Sequence, residues 1–380
     1  MNPALFMKAN LWYHGQKREG GGQMLHLLLG TDWTANRDEV MKRIAADVAG
    51  RRGNRILMVP ELISHETERR MCATAGDTAS RYAEVLSFTR LARRVADSMG
   101  SAAEECLDNG GRVVAMAAAA KNLSSRLKAY AAVETKPEFL TGLIDAVDEF
   151  KRCCISSADL SRAAGETEGS LAQKLEELSL LMESYDALCS RGKRDPRDQM
   201  TWLLEQMEQG DFARAHVFYI DGFPDFTRQH LAILEHLIQA SPDVTVSLNC
   251  DREDSRLLAF EKAGDTASQL LRCALRAGVD VRIETIPGKR LPLSPVREGL
   301  FQGAISRGAA SGCLDVVRAE SPYLECMGAA DRIRQLLAAG CRCRDITVVC
   351  TDMTVYQPLV NLVFHRLHIP VYQSGTEDIL

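Results

Sequence analysis

The residues best placed to do chemistry form one short run, Asp221-Gly222-Phe223-Pro224-Asp225-Phe226-Thr227, with Gln229 two positions on. A carboxylate at the carboxyl end of a buried strand is suited to holding Mg²⁺ or assisting phosphoryl transfer. The apolar run Val217 to Ile220, just before Asp221, supplies such a strand. What is missing is a base. An attacking water needs a carboxylate beside it, and the residue after Asp221 is Gly222. The plainer alternative is an ordinary strand, turn and helix, with Asp221 capping the turn.

A second candidate opens at Gly30, where an apolar run ends and helical periodicity follows. That is the setting a phosphate-binding loop of the form G-x-x-x-x-G-K-[ST] requires. Laid on that pattern, the last three positions are Ala35, Asn36 and Arg37. The loop thus lacks the glycine for close phosphate approach, the lysine for the β- and γ-phosphates and the hydroxyl for Mg²⁺. These residues oppose binding of ATP and Mg²⁺. No metal site is expected either: Cys153 and Cys154 are adjacent, Cys341 and Cys343 are two apart, and no Cys-x-x-Cys occurs.

A third set could bind rather than react. Ser64 and His65 follow one apolar run, Phe88, Thr89, Arg90 and Arg93 follow another, and Phe223 follows a third. Ligands of open α/β sheets gather where such runs end. Aromatic rings that stack on bases, with arginines for phosphates, are the chemistry of single-stranded nucleic-acid sites. The alternative is that Phe88 is core and the arginines are a solvated helix face.

The elements that must position these residues fit a chain of 380 residues, long enough for about two domains. Hydrophobic residues make up 46%, and the net charge of −5 excludes a uniformly basic coat for nucleic acid. Twelve scattered cysteines without a signal peptide predict reduced thiols and a cytoplasmic protein. No apolar run is long enough to span a membrane. Residues 1–23 are expected to be a disordered leader or an appended tag.

Apolar runs at Leu25–Leu29, Arg55–Pro60, Val85–Arg90, Val217–Ile220, Asp243–Leu248 and Val279–Ile283 predict strands, with amphipathic helices between them. The result is an α/β fold with a parallel sheet covered on both faces. Residues 24–106 and 212–286 form its two halves, and 107–211 an all-helical insertion. The basic helix Arg112–Val133 in that insertion either lines a nucleic acid or faces water. A linker is predicted over 287–313. A second α/β unit follows over 314–380, with strands at 314–317, 345–350 and 369–372.

The Asp221–Gln229 run resembles motif II of superfamily 1 DNA helicases, with Gly222 in place of the catalytic Glu and Pro224 in place of a Gln. Four segments then resemble, in order, the AddB (RexB) family of helicase–nuclease subunits. They are Val59-Pro60-Glu61, Leu86 to Ala92, Glu149-Phe150-Lys151-Arg152 and Tyr219-Ile220-Asp221-Gly222-Phe223. The resemblance implies a RecA-like parallel sheet with degenerate motor motifs, and the start of a second motor domain cut short at Leu380. It implies a role in processing DNA ends for recombinational repair, with AddA as heterodimeric partner and single-stranded DNA scanned for the hotspot Chi. The family's iron–sulfur cysteines and nuclease would lie past Leu380. Two other readings stay open: an active ATP-driven helicase, which Asn36 and Gly222 oppose, and an unrelated nucleotide- or sugar-phosphate enzyme, which would need an intact glycine-rich turn.

Overall fold

The predicted apolar runs form six strands in the computed structural model, which describes residues 23–100, 106–131, 136–296, 299 and 312–373. They are β1 (Met24–Leu29), β2 (Arg55–Met58), β3 (Ala83–Leu86), β4 (Val217–Ile220), β5 (Asp243–Leu248) and β6 (Asp280–Thr285). All pair in parallel in one sheet of order β3-β2-β4-β5-β1-β6. The predicted leader lies outside the described residues except for its last residue, Gln23.

Both faces of the sheet are buried, which is why its strands read as continuous apolar runs. Successive side chains alternate between faces. Leu25, Leu27, Ile56, Met58, Phe218 and Ile220 enter one core, while Leu28, Leu57 and Tyr219 enter the other. The second core is roofed by α1 (Trp33–Ala49) and α2 (Ser64–Ala75). The first is roofed by α3 (Phe88–Ser98) and by helices from the second half of the domain. Phe218 is fully buried there, so truncating it to Ala should cost about 3–5 kcal/mol.

The third predicted strand is shorter than its apolar run. Ser87, itself still extended, caps α3, its side chain accepting from the Arg90 amide. An N-cap serine stabilises the helix start, so Phe88 to Arg90 become helix.

The insertion comprises α4 (Asn109–Asn122), α5 (Pro137–Arg152), α6 (Ser157–Gly165) and α7 (Gly169–Cys189). It has its own core around Met116, Leu140, Ile144, Leu181 and Tyr185. Arg112 lines neither nucleic acid nor water. It is buried among Asp148, Asp195 and the Tyr185 hydroxyl, because an ion in a dry interior survives only when paired. Lys151 joins the same network, 2.8 Å from Asp186 and 2.7 Å from Asp198. Burial alone would lower its pKa, but Asp198, Asp195 and Asp186 outweigh that and raise it.

The insertion's packing ends earlier than Asp211. In α8 (Gln199–Gln209), Leu203 and Met207 belong to the sheet's own core. After the short α9 (Phe212–Ala215) and β4 come α10 (Arg228–Ala240), capped by Thr227, and α11 (Glu261–Ala277).

The first compact unit ends at Arg290 and a second begins at Leu291, near the start of the predicted linker, most of which lies outside the described residues. In the second unit, α12 (Pro322–Ala338) packs on α13 (Met353–Arg366) through Ala330, Ile333, Val363 and Phe364. The strands predicted at 314–317, 345–350 and 369–372 do not form ladders among the described residues. Val316, Val349 and Tyr372 remain largely exposed. An apolar run becomes a strand only when a neighbour takes up its backbone groups.

Candidate functional site

Register fixes where the candidate residues meet. Met58 pairs with Leu86 and with Ile220, and Leu29 pairs with Leu248 and Thr285. Gly30, Pro60, Ser87 and Asp221 therefore open on one edge of the sheet, at the carboxyl ends of the strands.

At Gly30 the place of a phosphate is taken by the chain itself. Asp32 caps α1, its Oδ1 accepting from the amides of Thr34 (3.0 Å) and Ala35 (3.4 Å), and its Oδ2 accepts from the Lys289 amide at 2.9 Å. Burial works against that carboxylate, yet the Thr34 hydroxyl and these amides outweigh it and hold its pKa below the usual range. Helix N-terminal amides attract anions, and here the anion is a side chain. Asn36 is only 2% exposed. Its amide nitrogen donates to Gly30 O (3.1 Å) and Leu248 O (3.0 Å). Its Oδ1 is buried without a partner and lies where a side chain at Gly30 would sit. An acceptor oxygen there repels a phosphate.

The next residue completes the closure. Arg37 Nε lies 3.2 Å from Asp221 Oδ2, with side-chain exposures of 11% and 6%. The guanidinium also covers one face of Trp33, 4.9 Å from the ring centroid. Asp221, the carboxylate of the degenerate motif, is thus already neutralised by a cation of the chain. Gly222 has φ +80°, and a Cβ there would come 2.9 Å from Ile63 Cδ1. The residues present do not fit a nucleotide with Mg²⁺.

The rest of the run disperses. Asp225 is exposed and faces Lys262 at 3.7 Å. Gln229 is buried, its amide donating to Arg197 O and Thr201 Oγ1, so its role is to tie α10 to α8. Among the described residues, no group of three His, Cys, Asp or Glu could hold a metal ion, and no helix is long and apolar enough to cross a membrane.

The binding set stays together but divides by exposure. Phe88 is 5% exposed. His230 stacks on it at 4.0 Å, and Phe223 and Phe226 approach its ring at 5.4 and 6.5 Å. It is core, and no ring face is left for a base. Ser64 is also buried, its hydroxyl donating to Glu61 O at 2.9 Å. His65, Thr89 and Arg93 are exposed, while Arg90 and Phe223 are partly so. Burial pushes the His230 imidazole down to about 4, against a smaller upward pull from Asp225.

Sequence reasoning missed Asp32, Trp33, His230 and Glu68. Asp32 was within reach, since an Asp just before a helical run is an N-cap signal. Trp33 was too, being an i, i+4 neighbour of Arg37 on one helix, whereas His230, stacked on Phe88, and Glu68, paired with Arg90, depend on which helices become neighbours.

A family model described as ADDB, N-terminal, matches residues 27–294. The chain belongs to the AddB family. The match spans the sheet and the insertion, and it removes the reading of an unrelated α/β enzyme. The chain is 30% identical over 336 residues to the B subunit of the ATP-dependent helicase/deoxyribonuclease of Desulforudis audaxviator, covering 83% of this chain and 29% of that protein. It is 25% identical over 339 residues to the protein of the same description from Clostridium acetobutylicum, covering 85% and 29%. With the one from Moorella thermoacetica it shares 28% over 348 residues, covering 83% and 29%. This AddB-family sequence spans about 29% of the length of these curated relatives.

Proposed function

We propose that this chain is the N-terminal, helicase-like part of the B subunit of a DNA helicase–deoxyribonuclease, where it binds and scans single-stranded DNA and does not hydrolyse ATP. The observation that carries the reading is the contrast along one sheet edge. The nucleotide position is filled by Asp32, Asn36 and the Arg37–Asp221 pair, whereas Phe223, Arg90, Arg93, Thr89 and His65 remain at least partly accessible.

In this reading the AddA protein completes the heterodimer and supplies ATP-driven movement at DNA ends during break repair in the cytoplasm. The strand it pulls passes over the carboxyl edge of the present sheet, where recognition of Chi would occur. Phe223 supplies the stacking ring and Phe88 supports it from below. No cofactor is required for this task.

The test pairs two titrations on the purified chain. A fluorescent oligothymidylate should bind with an affinity that ATP and Mg²⁺ leave unchanged, and no phosphate should be released. DNA-stimulated hydrolysis would overturn the nucleotide half of the reading. Absence of strand binding at low salt would overturn the DNA half.

A further inference from the structure

Arg90, the phosphate partner in the proposed strand track, is already engaged. Its Nη1 lies 2.8 Å from Oε1 of Glu68 on α2, and the two side chains are 38% and 33% exposed. The other oxygen of Glu68, Oε2, lies 3.5 Å from Nδ1 of His65, which is almost fully exposed. One carboxylate therefore stands between the Arg90 guanidinium and the His65 imidazole on the strand-facing edge.

We infer that Glu68 is an internal stand-in for a DNA phosphate, one that an incoming phosphodiester strand must displace; the inference rests on the proposed strand track. A half-exposed ion pair is weak in water, so a polyanion holding many contacts at once can exchange its phosphate for the carboxylate. A lone phosphate or mononucleotide gains too little to do so, and Glu68 then repels it. Glu68 thereby selects for a continuous strand over small anions.

The exchange has a signature in salt. Phosphate binding to a free arginine releases a counterion, with a slope of about −0.7 in log K against log salt per contact on single strands. In the wild type Arg90 is neutralised by Glu68 beforehand, and the displaced carboxylate gathers a cation of its own. This contact then adds almost nothing to the slope. A role confined to pinning α2 against α3 would alter thermal stability and leave the slope alone.

The experiment measures oligothymidylate binding to the full 380-residue chain by anisotropy across a salt series, for the wild type, Glu68→Gln and Glu66→Gln. Glu66 is exposed on the same helix and controls for net charge. Glu68→Gln should tighten binding about five-fold at low salt and steepen the slope by ~0.7. Glu66→Gln should change affinity by less than about two-fold, with the slope unchanged. With Arg90→Gln in the background, Glu68→Gln should have no effect. If the wild type binds and Glu68→Gln matches it in affinity and slope, the stand-in is overturned while the track survives. If neither binds, both fall.

Discussion

Arg37 Nε and Asp221 Oδ2 are 3.2 Å apart, joining the first turns of α1 to the end of β4 across the sheet's carboxyl edge. A motor of this architecture would use that gap for a nucleotide and its metal. Here the chain's own side chains join the two sides, so the link has no ligand to release.

Removing one half of that link should be costly. Arg37→Ala leaves a buried carboxylate without its partner, a loss of about 3 kcal/mol or more. Arg37→Ala with Asp221→Asn should recover much of it, because an amide tolerates burial better than an unpaired charge. Urea unfolding of the single and double variants, compared as a mutant cycle, measures the difference.

Restoring the motor residues should not restore a motor. Asn36→Lys breaks the donors to Gly30 O and Leu248 O, and Gly222→Glu forces a side chain onto a backbone at φ +80° against Ile63. The backbone strain alone costs about 1–2 kcal/mol. The double variant should show a lower melting temperature and no phosphate release above the wild type.

Phe88 and Phe223 should separate by assay. Phe88→Ala empties a core position and should cost about 3–5 kcal/mol of stability. Phe223→Ala should stay folded yet weaken oligothymidylate binding about five-fold or more, the loss of one stacking contact. Equal DNA binding by a folded Phe223→Ala protein would move the stacking site elsewhere.

Acid should act through His230. Its imidazole titrates near 4 when folded and near 6.5 when free. Between those values the unfolded chain takes up a proton that the folded one refuses. This contribution to stability is complete above pH 6.5 and is lost as pH falls towards 4, at up to ~1.4 kcal/mol per pH unit. His230→Gln should flatten the stability profile from pH 6.5 to 4.5, as read by urea midpoints.

Much of the sheet was legible because strands buried on both faces leave unbroken apolar runs, as at Leu25–Leu29 and Val217–Ile220. That Asn36 is not a lysine and Gly222 not a carboxylate is read directly from the sequence, whatever the fold. The closure itself was not: nothing in the spacing of Arg37 and Asp221 announces their contact. Phe88 looked like a stacking platform because the run Leu86 to Arg90 hides that Ser87 turns it into helix, and the rings that bury it come from a segment far along the chain. In the second unit, runs such as Asp345–Cys350 have strand character, but that character is realised only beside a partner.

The strand order also sets when the sheet can be built. Met24 waits for both Asp243 and Asp280, and Arg55 waits for Val217. Between them the ribosome delivers the whole helical insertion, which has a core of its own to close on. Such distant pairings are slow to form because a long loop must close before any ladder is gained. A nascent chain ending before Val217 therefore holds β1 unpaired and β2 open on one side. Those edges invite pairing with other chains, which makes the insertion, finished first, the part that keeps company with exposed strands until the last of the sheet arrives.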